Sequence, residues 1–338
     1  MKERKLLVPV LLVLGIVLMA FMTSCANENK STSTTGEPLK IELIDRDGKQ
    51  QTVDLSTLKT VTGDSGFIKS TGTIVGPASF TGPELSDVLE KIGGITKEDS
   101  LMITAGDGYE MTLTYEQAMG NVMTYDQKGE PQKIGGMEVI LAVKSSAEEV
   151  LDKAPRLCFI GEENVLTDGH FWIKEIAKIK VVPAVEEWEL SLSGIEEATI
   201  DRSTFESVAT CGRSPHPGQE FEDTNKKDEK AVYKGVPLWV MVSMVDGADD
   251  KDGHYRFNRE LSQTGYTVQV IAVDGYKTEF SSKEVAYNDG IFLAYLKDDK
   301  PLDKDSGPLQ LTGPKLPSKQ HGVKQVKEIK LVNLPKEQ

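Results

Sequence analysis

Apolar and polar side chains alternate with a period of two along much of this chain. Lys40-Ile41-Glu42-Leu43-Ile44, Leu101-Met102-Ile103-Thr104, Glu110-Met111-Thr112-Leu113-Thr114, Tyr266-Thr267-Val268-Gln269-Val270-Ile271 and Glu328-Ile329-Lys330-Leu331 all read this way. Successive side chains of a strand point to opposite faces, so each segment predicts a strand with one buried face. Helical spacing is rarer. Thr81-Gly82-Pro83-Glu84 precedes Leu85, Val88, Leu89 and Ile92. An early proline followed by apolar positions three and four apart predicts a helix there. Thr114-Tyr115-Glu116-Gln117-Ala118 and Ser282-Lys283-Glu284-Val285 predict short helical turns. The expected fold class is α+β, with more strand than helix.

The pattern is written twice. Phe80-Thr81-Gly82-Pro83-Glu84-Leu85 opens one apolar stretch, and Tyr233-Lys234-Gly235-Val236-Pro237-Leu238 opens another. Asp107-Gly108-Tyr109 interrupts alternating strands in the first half, and Asp274-Gly275-Tyr276 does so in the second. Ala154-Pro155-Arg156-Leu157 leads to Trp172-Ile173-Lys174-Glu175-Ile176, as Gly307-Pro308-Leu309-Gln310-Leu311 leads to Gly322-Val323-Lys324-Gln325-Val326. Three landmarks in one order with unequal spacers predict a duplicated domain and exclude a short-period solenoid. The expected domains are 39–183 and 187–335, joined near Pro183-Ala184-Val185. So short a joint predicts that they pack together. The halves differ at Met123–Gly136, read as a hairpin or loop, and at Cys211–Ala231 and Gly247–Asn258. Loops that vary on a repeated scaffold are where function concentrates.

The N-terminus changes the compartment. Lys2, Arg4 and Lys5 precede the apolar run Leu6–Met22, and Thr23-Ser24 then stand directly before Cys25. This resembles a bacterial lipoprotein signal, in which that cysteine is lipidated and begins the mature chain. Residues 1–24 are therefore expected to be removed and Cys25 lipidated. The polar stretch 25–38, rich in Ser, Thr and Asn, reads as a flexible tether. An uncleaved anchor is the alternative. Both place the rest of the chain on the outer side of the cell membrane.

Charge narrows the partners. With 39 Lys and Arg against 53 Asp and Glu, the formal net charge is −14. Such a surface repels nucleic acid, so no nucleic-acid partner is expected. Besides Cys25, only Cys158 and Cys211 remain, too few for a disulfide scaffold. Cys158, in the run Arg156-Leu157-Cys158-Phe159-Ile160, reads as a buried apolar residue. His170, His216, His254 and His321 lack zinc-ligand spacing. Asp249-Asp250-Lys251-Asp252 and Asp298-Asp299 lack the pattern of a calcium loop. Tyr109 and Tyr276 are expected to cap their turns, and Trp172, Trp188 and Trp239 to lie in the core.

The aromatic-x-Gly-Val-x-Leu helix start, the Asp-Gly-Tyr turn and the Gly-Pro-Leu-x-Leu segment with its His/Trp-x-Val-Lys-x-Val close together resemble the sulfite-oxidase-type molybdopterin-binding domain. The resemblance covers nearly all of the chain after the tether, in two tandem copies. It implies that a cysteine ahead of the helix motif ligates molybdenum, and Cys211, following Phe205-Glu206-Ser207-Val208-Ala209-Thr210 as if in a loop after a strand, takes that place. A soft thiolate suits the metal, and cationic groups suit an anionic pterin phosphate. Arg213, His321 and Lys324 are the implied cofactor-binding residues, and Cys211 the implied catalytic and metal-binding one.

Two features point away from a loaded site. Asp54–Ser79 holds no cysteine in the first half, and the N-terminus lacks the twin arginines that export of a folded, cofactor-loaded enzyme needs. The leading expectation is therefore a cofactor-free relative on a lipid anchor that binds a small molecule or a protein partner. A molybdopterin-dependent oxidoreductase using Cys211 is the alternative, and a purely structural surface protein is the third reading.

Overall fold

The computed structural model describes residues 39–69, 72–161, 165–211, 219–224, 230–248 and 255–335. The signal segment, Cys25, the tether, Arg213, His216, His254 and the acidic run 249–252 lie outside the described residues.

In the first half, β1 (Lys40–Ile44) and β2 (Gln50–Asp54) form a hairpin, as do β3 (Val61–Ile68) and β4 (Ile74–Gly82). Helix α1 (Leu85–Leu89) follows where the apolar spacing predicts it, burying Leu85, Val88 and Leu89. β5 (Asp99–Ala105) and β6 (Glu110–Thr114) meet at the Asp107-Gly108-Tyr109 turn. Thr114 then starts α2 (Tyr115–Ala118) with a reciprocal cap: its hydroxyl accepts from the Gln117 amide while the Gln117 side chain accepts from the Thr114 amide. β7 (Met123–Tyr125) and β8 (Pro131–Ile134) make the expected hairpin. β9 (Glu138–Ala142), β10 (Lys144–Ser145), α3 (Glu148–Leu151), β11 (Arg156–Ile160), β12 (Leu166–Asp168) and β13 (Ile176–Pro183) complete the half.

The second half opens with the hairpin β14 (Glu189–Ser193) and β15 (Glu197–Asp201), then α4 (Arg202–Thr210). β16 (Gln219–Thr224) pairs with β17 (Lys230–Pro237), which runs into α5 (Leu238–Ser243). After α6 (Arg259–Thr264) come β18 (Thr267–Ala272) and β19 (Lys277–Ser281), meeting at Asp274-Gly275-Tyr276. Ser281 and Glu284 form the same reciprocal cap on α7 (Ser282–Val285). β20 (Phe292–Lys297), β21 (Lys300–Pro301), β22 (Gln310–Thr312) and β23 (Val326–Val332) close the chain.

Each half holds a five-stranded mixed sheet. The orders are β2-β1-β13-β5-β6 and β15-β14-β23-β18-β19. In each, the first strand pairs parallel with the last, Leu43 opposite Ile179 and Leu192 opposite Ile329. Gly108 and Gly275, both at φ +88°, supply the left-handed residue of the two turns. Tyr109 and Tyr276 each donate to the carbonyl of a 3-10 turn later in the half, at His170 and Gln320, and so tie the Asp-Gly-Tyr turn to that segment instead of capping the turn itself.

A core lies under each sheet. In the first, Trp172 packs against Phe67 and Phe80 at ring distances of 4.9 and 5.1 Å, and its indole donates to Thr167 at 2.7 Å. Cys158 is fully buried there, and burial pushes its thiol up. In the second, Phe205 sits edge-on to Trp188 and Tyr295 at 5.5 and 5.7 Å, while Trp239 donates to Asp289. Trp172 and Trp239 are buried as expected, and Trp188 is half-buried against the second core. Cys158 and Cys211 are both free thiols. The chain from Pro38 onward is one compact unit containing both cores. No helix among the described residues is long and apolar enough to cross a membrane.

Candidate functional site

Polar chemistry concentrates along the seam where α4 of the second half lies on the outer edge of β6 of the first. Helix α4 starts because the Asp201 carboxylate accepts from the Thr204 amide at 2.7 Å, a standard N-cap. Phe205 and Val208 turn into the second core. The opposite face docks on β6: the Glu206 carboxylate accepts from the Thr112 amide at 3.0 Å, and the Thr210 hydroxyl donates to the Glu110 carbonyl at 2.8 Å. These bonds satisfy edge groups of β6 that would otherwise lack partners.

Arg202 is the cation of this seam. Its guanidinium contacts Glu187 at 2.7 Å and Glu206 at 2.9 Å, with Gln117 at 3.4 Å. Burial works against its charge, and the two glutamates outweigh that effect. Burial raises the Glu206 carboxyl, with Arg202 and the Thr112 amide opposing. Beside them, burial pushes the Tyr109 phenol up, with a hydrogen bond from Ser207 opposing.

A second cluster extends from the same seam. His170 Nε2 lies 3.1 Å from Ser203 Oγ, and Ser203 donates to Asp201 Oδ1 at 3.0 Å. Burial lowers His170 to about 4, so the ring is neutral at pH 7. Burial raises Asp168 to about 6, opposed by a hydrogen bond from Tyr125 at 3.2 Å and reinforced by Asp201. Asp201 itself is held low by the Thr204 and Ser203 bonds despite its burial. The order Asp–Ser–His, with serine between acid and imidazole, is not a nucleophile relay, because among the described residues no acid bonds the other ring nitrogen. Ser203 is also fully buried. The cluster binds the halves together.

Of the predicted site residues, Cys211, His321 and Lys324 are described, each with its own neighbours. Cys211 ends α4, half-buried, its amide reaching the Val208 carbonyl at 3.4 Å. Phe205–Thr210 is helix, so Cys211 follows a helix and not the strand expected from the sequence. Asp201 at the N-cap with Phe205, Val208 and Ala209 at helical spacing is the signal that marks it. The thiol's electrostatic neighbour is Tyr109. His321 instead packs its ring 5.9 Å from Phe280 and its Nδ1 2.9 Å from Ser318, in the second half's own turn region. Lys324 is exposed beside Asp303. Among the described residues, no group of three or more His, Cys, Asp or Glu is placed to hold a metal ion.

Among the described residues, Cys211 shares no partner with the implied cations His321 and Lys324. The thiol at the end of α4 and the Glu206 carboxylate within it act on the Tyr109 phenol. Arg202 in the seam already carries two glutamates, while His321 bonds Ser318 and Lys324 stands beside Asp303. Sequence reading missed His170, Ser203 and Glu206, whose partners are supplied when α4 docks, and Asp168 and Tyr125, which the β7–β12 pairing brings together. An open depression of about 260 Å³ bordered by Lys97, Asp99, Glu116 and Val185 offers little chemistry. Asp99 there is fully engaged by Arg46 and Thr96 and held at about 2.

No family model matches the chain, and no curated protein matches it. Among solved structures, the crystal structure of the sulfane dehydrogenase SoxCD from Paracoccus pantotrophus is similar over 71% of this chain and 58% of that one. The identity is 10% and the TM-score 0.31. The chain thus spans less than two thirds of that protein, at a likeness too loose to transfer chemistry.

Proposed function

We propose that this chain is an outward-facing, lipid-anchored binding protein, built from two copies of one α+β fold related to the sulfite-oxidase-type domain, that works without the molybdenum cofactor. The observation that carries the reading is that Cys211 acts on the Tyr109 phenol beside Glu206, whereas the implied basic residues have other partners, His321 bonding Ser318 and Lys324 standing beside Asp303. The duplication is supported by the common strand order, the paired caps at Thr114 and Ser281, and the matched Tyr109 and Tyr276 bonds. The anchor is supported by the basic start, apolar run and Ser24-Cys25 junction. In this reading the fold serves as a rigid platform whose exposed surfaces hold a small molecule or a protein partner.

The test is elemental analysis for molybdenum and tungsten on the full chain purified from its membrane, for wild type and Cys211→Ser. The binding-protein reading expects neither metal in either protein. Stoichiometric metal in wild type that disappears in Cys211→Ser overturns it in favour of the oxidoreductase. For the anchor, Cys25→Ala is expected to abolish lipid labelling and release or strand the chain unprocessed. Unchanged processing and membrane attachment in that variant would remove the anchor from the proposal.

A further inference from the structure

The two halves treat the same strand edge differently. Thr114 and Ser281 cap matching helical turns, so Thr112 corresponds to Glu279 and Glu110 to Lys277. In the first half, α4 covers the edge by engaging the Thr112 amide and the Glu110 carbonyl. Their counterparts, the Glu279 amide and the Lys277 carbonyl, have no such cover among the described residues. There, β19 pairs with β18 on one side and packs against α7 at its end. At the other end of β19, Val273 and Tyr276 are 59% and 50% exposed.

We propose that β19 pairs antiparallel with β19 of a second copy, about a twofold axis beside Thr278, joining two five-stranded sheets into one. The side-chain pattern is what selects this occupant. Lys277 and Glu279 lie two residues apart on the exposed face, with Thr278 and Phe280 turned inward. Rotation about Thr278 sets Lys277 of each copy opposite Glu279 of the other, so both charged cross-strand pairs join opposite signs. A single charge on this strand would repel its own image and blunt the edge; two opposite charges with one residue between them are self-complementary. Within one chain Lys277 already contacts Glu279 at 3.0 Å, and the pair of copies closes these into a four-charge cluster. The outward groups of residues 277 and 279 then bond to each other across the axis, as a two-stranded antiparallel ladder requires. Tyr276 stands next to the seam and loses exposure to the partner copy.

The experiment is the association state of the full chain in mild detergent, followed by sedimentation or light scattering over a concentration series. Wild type is expected to dimerise with a roughly micromolar dissociation constant. Lys277→Glu and Glu279→Lys each set like charges opposite one another twice per dimer, and each is expected to weaken association at least about tenfold. The double variant restores opposite charges and is expected to recover wild-type association. Melting temperatures close to wild type in all three variants would separate pairing from folding. A wild type that stays monomeric up to about 100 μM overturns the proposal and assigns the open edge to some other protein. Dimers that ignore the single changes, or that the double variant fails to restore, overturn the pairing.

Discussion

Gly82 and Gly235 show how closely one residue type is dictated. A Cβ on Gly82 would run into the Leu141 carbonyl, and a Cβ on Gly235 into that of Leu293. The sequence carries the match as Leu141-Ala142 and Leu293-Ala294, a pairing that emerges only once the strands are side by side. Gly82→Ala and Gly235→Ala are each expected to destabilise by about 2–3 kcal/mol, read from urea denaturation, and by similar amounts. Titration at the seam gives a second expectation. His170 folds with its value lowered to about 4, against 6.5 unfolded, so its contribution is complete above pH 6.5 and is lost as the pH falls toward 4. Asp168 is raised to about 6, so the folded state takes up its proton first and gains stability as the pH falls from about 6 toward 3.8. The two oppose each other in the same window. Asp168→Asn is therefore expected to lose more stability on acidification than wild type, and His170→Gln less. Denaturation midpoints between pH 4 and 7 that run in parallel for all three proteins would contradict the assignment.

Among the elements, those made from local pattern were legible in advance: β1, β6 and α1, the hairpin of β7 and β8, and both capped turns α2 and α7. Period-two alternation and capping residues are properties of adjacent positions, and they survive without tertiary context. The α+β, strand-rich class was legible for the same reason. Helix α4 was not. Its apolar face continues directly from strand β15, and Cys211 at its end invited comparison with a metal ligand. The seam was illegible because Thr112 and Glu206 are brought together only by docking. That docking defines the next prediction. Glu206→Ala removes the acceptor of the Thr112 amide and one of the two carboxylates on buried Arg202, at a cost of about 3 kcal/mol. The loss falls on the seam and leaves both cores intact. Wild type is expected to unfold in one calorimetric transition, and Glu206→Ala in two resolved ones. A single transition merely shifted to lower temperature would mean that the halves are coupled by other contacts.

For the whole molecule, the acidic balance and the two-core plan fit a rigid platform, but neither names a ligand. The cover on β6 has a consequence for how the chain comes into being. A polypeptide is made from its N-terminus, so the first half is complete at Pro183 while the helix that closes its edge, Arg202–Thr210, has yet to emerge. For that interval the first half is a finished sheet with a raw margin, and its safety depends on residues of the same chain still to be made. The matching edge of the second half, β19, has no helix of its own to wait for among the described residues. A fragment ending at residue 185 is expected to be prone to association and to bind a dye for exposed apolar surface, whereas extending it through Thr210 quiets it. Equal solubility of the two fragments in a pelleting assay would show that the margin guards itself. Gene truncations would then be tolerated at the joint, and the order of the two halves along the chain would be free to reverse.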